Sequence, residues 1–505
     1  MPRAATTTTA ARPRAAAAAA VATRRGVAAP ARKGGARTAT TRLAVAEPAV
    51  GREEVQSQGG WGAEGGVQGT TAAAAHLQLR PGAISEAALH EPAVRRLLAR
   101  EFGFDQIGKP VPDEVRLQDV VKTLPAEVFE FDEWKAWRTV AVSLSSMAAS
   151  LWLISVVPNF LLPVAWFIAG TAFTGFFVVG HDCGHKTFSR NKLLEDVVGL
   201  AMMAPLIYPF EPWRLKHNVH HAFTNMLEDD TAWHPVMREE WESWPRPLRA
   251  VLGVVLGSPL KLFASIGHWM QWHFNLSLYS EKQRPKVLVS LAVVAAFMGV
   301  GWPLLIAKAG WWGWFKYWFM PWVGYHFWMS TFTLVHHTAP HIPFKARDDG
   351  WDAAKAQLGG TVHCEFPRWI EFLCHDISVH IPHHVSTKIP SYHLRAAHQS
   401  LVENWGEHLN ITSLPKHWRL LQICCSDLHF YDGASNYAAF DAPKPRGSPL
   451  LRAQRWLSRV LYRWDGRGFG KHWDMPPEEG HVGRVAAGSY TGEGASGSYI
   501  PYTQR

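Results

Sequence analysis

The sequence predicts an all-α membrane protein: four transmembrane helices in two hairpins, with a helical cap on one membrane face that holds a histidine-rich metal site. Three observations carry this expectation. Four apolar stretches, roughly 140–157, 161–180, 286–306 and 314–335, have the length and composition to cross a bilayer. They come as two pairs, and the short connections inside the pairs are nearly free of Lys and Arg, whereas the segments outside them are rich in both. Finally, three clusters of histidine with helical spacing all lie outside the spans, and this topology puts them on one side.

Each span follows from its residues. The first connection, Pro158-Asn159-Phe160, carries no charge, and the second, about 307–313, carries only Lys308. Lys186, Arg190, Lys192, Arg214 and Lys216 lie on the opposite side, which the Lys/Arg bias makes the cytosolic or stromal one. Two weaker apolar stretches, about 196–210 and 250–266, read as helices lying in the interface: the first is short, and the second is broken by Pro259 and Lys261. A fifth crossing at 250–266 would also separate the histidine clusters across the membrane. Ahead of the spans, Glu86 to Phe102 carry helix-like spacing.

Composition agrees with a membrane protein. The 505 residues are 47% apolar and 18% charged and include 25 Trp. Five cysteines (183, 364, 374, 424, 425) form no CxxC pair, which argues against a disulfide framework or a zinc ribbon. The net charge of +9 has a single source. Arg3, Arg12, Arg14, Arg24, Arg25, Arg32, Lys33, Arg37 and Arg42 precede the first acid, Glu47, and without them Lys and Arg equal the 42 Asp and Glu. Residues 1–46, rich in Ala, Thr and Arg with no long apolar core, read as an organelle transit peptide. Residues 47–84 read as a flexible linker, 85–475 as the membrane domain, and 476–505 as a disordered Gly/Ser/Tyr-rich tail.

Seventeen of the 26 histidines fall between 181 and 384. Eight form three clusters: His181-Asp-Cys-Gly-His185, His217-Asn-Val-His220-His221 and His380-Ile-Pro-His383-His384. On a helix, positions i, i+3 and i+4 share a face, so each cluster can aim its imidazoles at one point. Pro382 places the third cluster at a helix start. With histidine at about one position in twenty, an HxxHH arises by chance on the order of 0.07 times in a chain this long, so two of them point to metal binding. Neutral imidazole suits zinc, copper, iron or nickel, and eight histidines suffice for two ions with open positions.

HDCGH, HNVHH and HIPHH, in this order and with two spans between the second and third, resemble the membrane-bound fatty acid desaturases. The flanking segments extend the likeness. Glu211-Pro-Trp-Arg-Leu-Lys-His217, residues 225–235 (NMLEDDTAWHP), His336-His-Thr-Ala-Pro-His341 and Lys388-Ile-Pro-Ser-Tyr392 are similar to the plastid omega-6 (delta-12 type) acyl-lipid branch of that family. The likeness covers roughly residues 100–430, and Asn218 and Val219 depart from it inside the second box, at positions that are not ligands.

The resemblance implies a centre of two iron ions held by His181, His185, His217, His220, His221, His380, His383 and His384. A further histidine follows the fourth span; His337 occupies that place, with His336 and His341 as rivals. His363 and His375 read as structural residues or as outer partners that orient a ligand. Asp182, Asp376 or the run Glu228-Asp229-Asp230 are candidates to orient ligand imidazoles. The implied activity is insertion of a second cis double bond into monounsaturated sixteen- and eighteen-carbon chains of membrane glycerolipids. It uses dioxygen and two electrons from ferredoxin, in a chloroplast membrane, the inner envelope in particular. Neither hydrogen removed is acidic, so side-chain acids and bases cannot perform the step alone.

No haem-binding or dinucleotide motif is present in the sequence, so the electron donor is a separate protein. The five basic residues named above are candidate contacts for an acidic donor and equally serve as positive-inside flanks. The aromatic run Trp311 to Trp328 is a candidate lining for an acyl tunnel or an interface anchor. Hydroxylation of an acyl chain or a carotenoid is an alternative on the same scaffold. Metal transport is a weaker alternative, since transporters place their ligands in broken helices near the midplane.

Overall fold

A computed structural model describes residues 84–432, 436–438 and 440. The transit peptide, nearly all of the linker and the tail expected from the sequence lie outside the described residues. The chain is mostly helical, beginning with a short turn at Glu86–His90 and helix α1, Pro92–Phe102, where helical spacing was expected.

Helix α2, Glu133–Val156, starts where the Asp132 side chain accepts from the Lys135 backbone N–H at 3.0 Å, and it ends just before Pro158. Helix α3, Leu162–His185, follows after a short turn and ends at Lys186 in the left-handed conformation. Each has 24 residues, about 36 Å at 1.5 Å per residue, sufficient for a hydrocarbon core of about 30 Å. Helix α4, Lys192–Met203, and helix α5, Phe210–Ala222, are joined by a turn of 3-10 helix at Ala204–Leu206 and meet at a bend of 101°. This bend replaces the single interfacial helix expected over 196–210. The stretch 250–266 is broken as Pro259 dictates, into helix α6, Arg246–Leu256, one turn at Pro259–Phe263 and helix α7, Ser265–Trp272.

Three helical runs are long and apolar enough to cross a membrane: Glu133–Val156, Asn159–His185 and Arg284–His337. The last, α8, has 54 residues, too many for one crossing. It carries π turns at Phe297–Gly301 and Phe315–Phe319 and a break at Gly310, where φ is 66° and ψ −179°. Only glycine adopts that conformation without strain. The Trp302 and Trp318 rings, about 24 Å apart if the helix ran straight, lie 4.8 Å apart, so the chain folds back on itself here.

Helix α3 is the axis of the bundle. It packs against α2 on one side and the second arm of α8 on the other, where Gly170 and Gly324 meet. A Cβ on Gly170 would lie 2.6 Å from the Gly324 backbone, so only the absence of side chains permits this approach. Beside the contact, Trp328 Nε1 donates to Thr171 Oγ1 at 2.8 Å.

The short helix α9, Arg368–Leu373, lies along the middle of α3, with Trp369 near Phe167 and the Leu373 carbonyl against Gly175. The chain then climbs to helix α10, His380–Val385, through His375 and Asp376, both with positive φ. Arg395, on helix α11 (Leu394–Trp405), holds this turn by donating to Asp376 at 2.5 and 2.8 Å and pairing with Glu371 at 2.7 Å. Helix α12, Lys416–Ser426, completes the cap. The strands are short. Val236–Met237 (β1) pairs in parallel with Phe430–Asp432 (β4), which pairs antiparallel with Asn436–Ala438 (β5); Val362–Glu365 (β2) runs parallel to Asn410–Ser413 (β3).

Replacing Gly170 by Val should force α3 and α8 apart and cost about 1–3 kcal/mol or more of stability. Thermal unfolding in detergent checks this. Gly299→Ala, where no atom lies within 4 Å of the added carbon, should leave the midpoint unchanged or slightly raised.

Candidate metal centre

Four helix segments bring the histidine boxes together. His181 and His185 occupy the last turn of α3, His217, His220 and His221 one face of α5, and His380, His383 and His384 the single turn pair of α10. Pro382 lies in the first turn of α10, where a missing N–H breaks no helical bond. His337 comes from the last turn of α8.

The ring nitrogens sort into two groups. In the first, one nitrogen each from His181, His185, His217, His221 and His383 lies within 4.8 Å of all the others; in the second, His220, His337 and His384 do the same. His380 joins the second group, with its Nε2 at 3.0 Å from both His337 Nε2 and His384 Nε2. In the first group His181 Nε2 is 3.0 Å from His383 Nε2, and His217 Nε2 is 3.1 Å from His221 Nε2. The groups adjoin, since the His221 and His384 rings are 4.3 Å apart.

These spacings fit a metal. Two nitrogens each about 2.1 Å from one ion and at right angles lie about 3.0 Å apart. Hydrogen bonding alone does not account for them, because a neutral imidazole carries one proton and His380 Nε2 faces two other Nε2 atoms at once. His185 Nε2 is buried with no hydrogen-bond partner, as a nitrogen reserved for an ion would be. Burial, reinforced by the neighbouring imidazoles, holds His380, His383 and His384 well below the usual histidine range, so they present neutral lone pairs.

Outer partners fix the tautomers. His220 Nδ1 donates to Asp230 Oδ1 at 2.7 Å, and Asp230 is itself held by the backbone N–H groups of Asn225 and Ala232, both at 2.8 Å. His384 Nδ1 donates to Gln357 Oε1 at 2.7 Å, while Gln357 Nε2 donates to the His221 carbonyl at 2.6 Å, which fixes the amide's orientation. In both rings the Nε2 lone pair is left for the site. Of the acids expected to orient ligands, Asp230 does so. Asp376 is taken up by Arg395, Glu228 and Asp229 meet exposed Arg347, and Asp182 accepts from the Ser391 backbone at 3.2 Å and stands 3.5 Å from His181 Nδ1. Gln357 was missed. It sits on a π turn, Lys355–Gly359, far in sequence from every box, and no local pattern marks it.

The rivals to His337 have other surroundings. His336 stacks on the His380 ring at 4.0 Å, and His341 pairs with Asn410 Oδ1 at 3.0 Å. His375 pairs with Ser143 Oγ at 2.8 Å, and His363 stacks on His398 at 3.9 Å. Three of the five basic residues are occupied: Lys186 with Asp196 and Glu195, Arg214 with Glu211, and Lys216 over the Trp272 ring. Arg190 and Lys192 remain exposed.

A cavity of about 1150 Å³, counting its open mouth, reaches both histidine groups at His181, His217, His220, His337 and His380. Its apolar wall comes from Phe177, Val178, Tyr208, Trp213, Met329 and Phe332. The run Trp311 to Trp328, offered by the sequence as tunnel lining, does not line it. Those rings stack on one another, and Trp318 and Trp322 donate to the carbonyls of Pro205 and Leu206.

Gln357→Leu should leave His384 Nδ1 only the longer contact to Thr224 Oγ1 at 3.3 Å and weaken metal affinity about 10–100-fold. Competition with a chelator, followed by metal analysis, measures it; Glu228→Gln is the control expected to change nothing.

Residues 158–414 match the family described as fatty acid desaturase. The chain is 56% identical over 352 residues to an omega-6 fatty acid desaturase, chloroplastic, of Spinacia oleracea, covering 70% of this chain and 77% of the relative. It is 55% identical to the Arabidopsis thaliana protein of that name over 355 residues, 70% of this chain and 78% of the relative. It is 48% identical over 336 residues to the sn-1 oleoyl-lipid 12-desaturase of a Synechocystis strain, 66% of this chain and 94% of the relative. On the family match and on relatives covered over most of their length, this chain belongs to the fatty acid desaturase family.

Proposed function

We propose that this protein is a chloroplast-membrane omega-6 desaturase of glycerolipid acyl chains. One observation carries the reading: a cavity with an apolar wall reaches two adjoining groups of buried histidine nitrogens. The names of the relatives supply the position of the double bond and the compartment.

Two iron ions are the proposed cofactor. His181, His185, His217, His221 and His383 would hold one, and His220, His337, His380 and His384 the other. When bound, the centre supplies dioxygen activation, which no side chain here can provide. The balance is one acyl CH2–CH2 unit, one dioxygen, two electrons and two protons giving one cis double bond and two waters. The chain contributes the rest. Phe177, Trp213 and Phe332 exclude water and confine the acyl chain beside the site. Asp230 and Gln357 keep His220 and His384 pointed inward.

The fold reading completes the proposal. The charge-free turn at 158–160 and the reversal at Gly310 support four crossings in two hairpins, with every box on the stromal side. Ferredoxin is the proposed electron donor, and of the five candidate contacts Arg190 and Lys192 are exposed and open to an acidic partner. The acid-free N-terminal 46 residues are proposed as the transit peptide and the inner envelope as the destination.

Expression of the full chain in a cyanobacterium lacking its own 12-desaturase, followed by positional analysis of fatty acids, tests the activity. Dienoic chains with the new bond at the omega-6 position should appear and fall below detection on His383→Ala. Hydroxylated chains, or an unchanged profile with iron-loaded protein in the membrane, would contradict the proposal.

A further inference from the structure

The pair His336-His337 leaves one histidine outside both metal groups. His336 is 1% exposed in the last turn of α8, lines the cavity beside the ligands, and has no hydrogen-bond partner at Nε2. Its ring stacks on that of the ligand His380, with centroids 4.0 Å apart and planes inclined by 20°. This geometry rules out ligation of the same ion. The lone pair of an imidazole lies in the ring plane, and a bound ion lies in that plane about 2.1 Å from the nitrogen. A ring nearly parallel to His380 and 4.0 Å away therefore directs its own lone pairs past that ion.

His380 needs a restraint that its fellow ligands obtain otherwise. In the second group His220 Nδ1 donates to Asp230 and His384 Nδ1 to Gln357, both at 2.7 Å, so hydrogen bonds set the rotation of those rings. His380 Nδ1 is buried and has no such partner among the described residues. His337 Nδ1 is likewise without one, but the His337 carbonyl is held by Asn225 Nδ2 at 3.1 Å. The backbone of His380 is lightly supported as well: it is the first residue of α10, a helix of six residues, and the N-cap Val379 makes no side-chain cap. The terminal torsion of histidine is broad, so an imidazole without an outer hydrogen bond turns its Nε2 away from an ion at little cost.

The stack supplies that restraint. Phe332, one turn earlier on α8, lies against His336 with ring planes 8° apart and centroids 5.6 Å apart, so three rings follow one another in nearly parallel planes. Two of the three sit on the last turns of a long helix, and His336 is fixed there by its burial. A ring face pressed against His380 opposes rotation about the Cβ–Cγ bond of that ligand, which would swing the imidazole edge into the His336 ring.

We propose that His336 is a positioning residue of the metal centre: the face of its ring holds His380 with Nε2 directed at the second ion, in place of the outer hydrogen bond that His220 and His384 have. The role belongs to the ring face and not to a nitrogen. It rests on the reading of the histidine groups as a two-ion centre and adds to it a residue that no ligand spacing marks. Because His336 also lines the cavity, the same ring borders the space assigned to the acyl chain.

Metal binding separates the ring face from the nitrogens without turnover. Full-length protein in detergent, loaded anaerobically with ferrous iron, is titrated with a chelator as the parent, His336→Phe and His336→Ala. His336→Phe keeps the face and should release its iron as the parent does. His336→Ala should release one of its two irons at a chelator concentration about three- to tenfold lower, as for loss of one aromatic pair, while the other iron keeps the parent's affinity. The Mössbauer spectrum should show the matching change at one iron site in His336→Ala and none in His336→Phe. A loss in His336→Phe equal to that in His336→Ala would overturn the proposal in favour of a nitrogen that ligates or donates, and so would parent-like release from His336→Ala. Equal weakening of both irons in His336→Ala would overturn it as well, since that is the mark of a loosened fold. A parent protein that takes up no iron would refute the metal reading itself, and this role with it.

Discussion

The structure depends on holding nine imidazoles with their lone pairs facing one another. Neutral rings with Nε2 atoms 3.0 Å apart repel unless a shared proton or a cation lies between them, and the protons are too few. The arrangement is therefore maintained by the rest of the molecule, and each part of the fold can be read as a restraint on it. The ends of α3 and α8 are brought to a common level by the glycine contact between Gly170 and Gly324. Helix α5 is turned inward by the 101° bend after Leu206, and α10 is lifted to the site by the His375–Asp376 turn that Arg395 holds. Asp230 and Gln357 fix individual rings.

The same arrangement explains why the cavity is where it is. Bringing helix ends together around large imidazoles leaves space between α3, α5, α7 and α8 that aromatic side chains only partly fill. The space takes apolar side chains from α3 and α8, and Lys216 and Lys261 are also among the residues that line it. Water exclusion comes from the aromatic wall.

Much of this was legible in the sequence because it is local. Spacing of i, i+3 and i+4 put each box on one helix face, and the charge-poor linkers marked where the chain turns. Gly310 lies within the predicted 307–313 connection, although the helix pauses there for one residue only. The parts that were not legible are the long-range ones. Gln357 reaches His384 from a turn with no pattern of its own, and Lys216 looked like a surface charge because Trp272, which it covers, is 56 positions away. The aromatic run of Trp311 to Trp328 left two readings open for a related reason: composition says that aromatic rings must be buried or anchored, but which surface they bury is decided by packing.

The central claim is that two ions, not one, occupy nine histidines. Metal analysis and iron-edge X-ray absorption of the full-length protein, reconstituted anaerobically with ferrous iron, test it most directly. The account predicts two irons per chain with a first shell dominated by nitrogen, and one iron per chain, or a shell dominated by carboxylate oxygen, would contradict it.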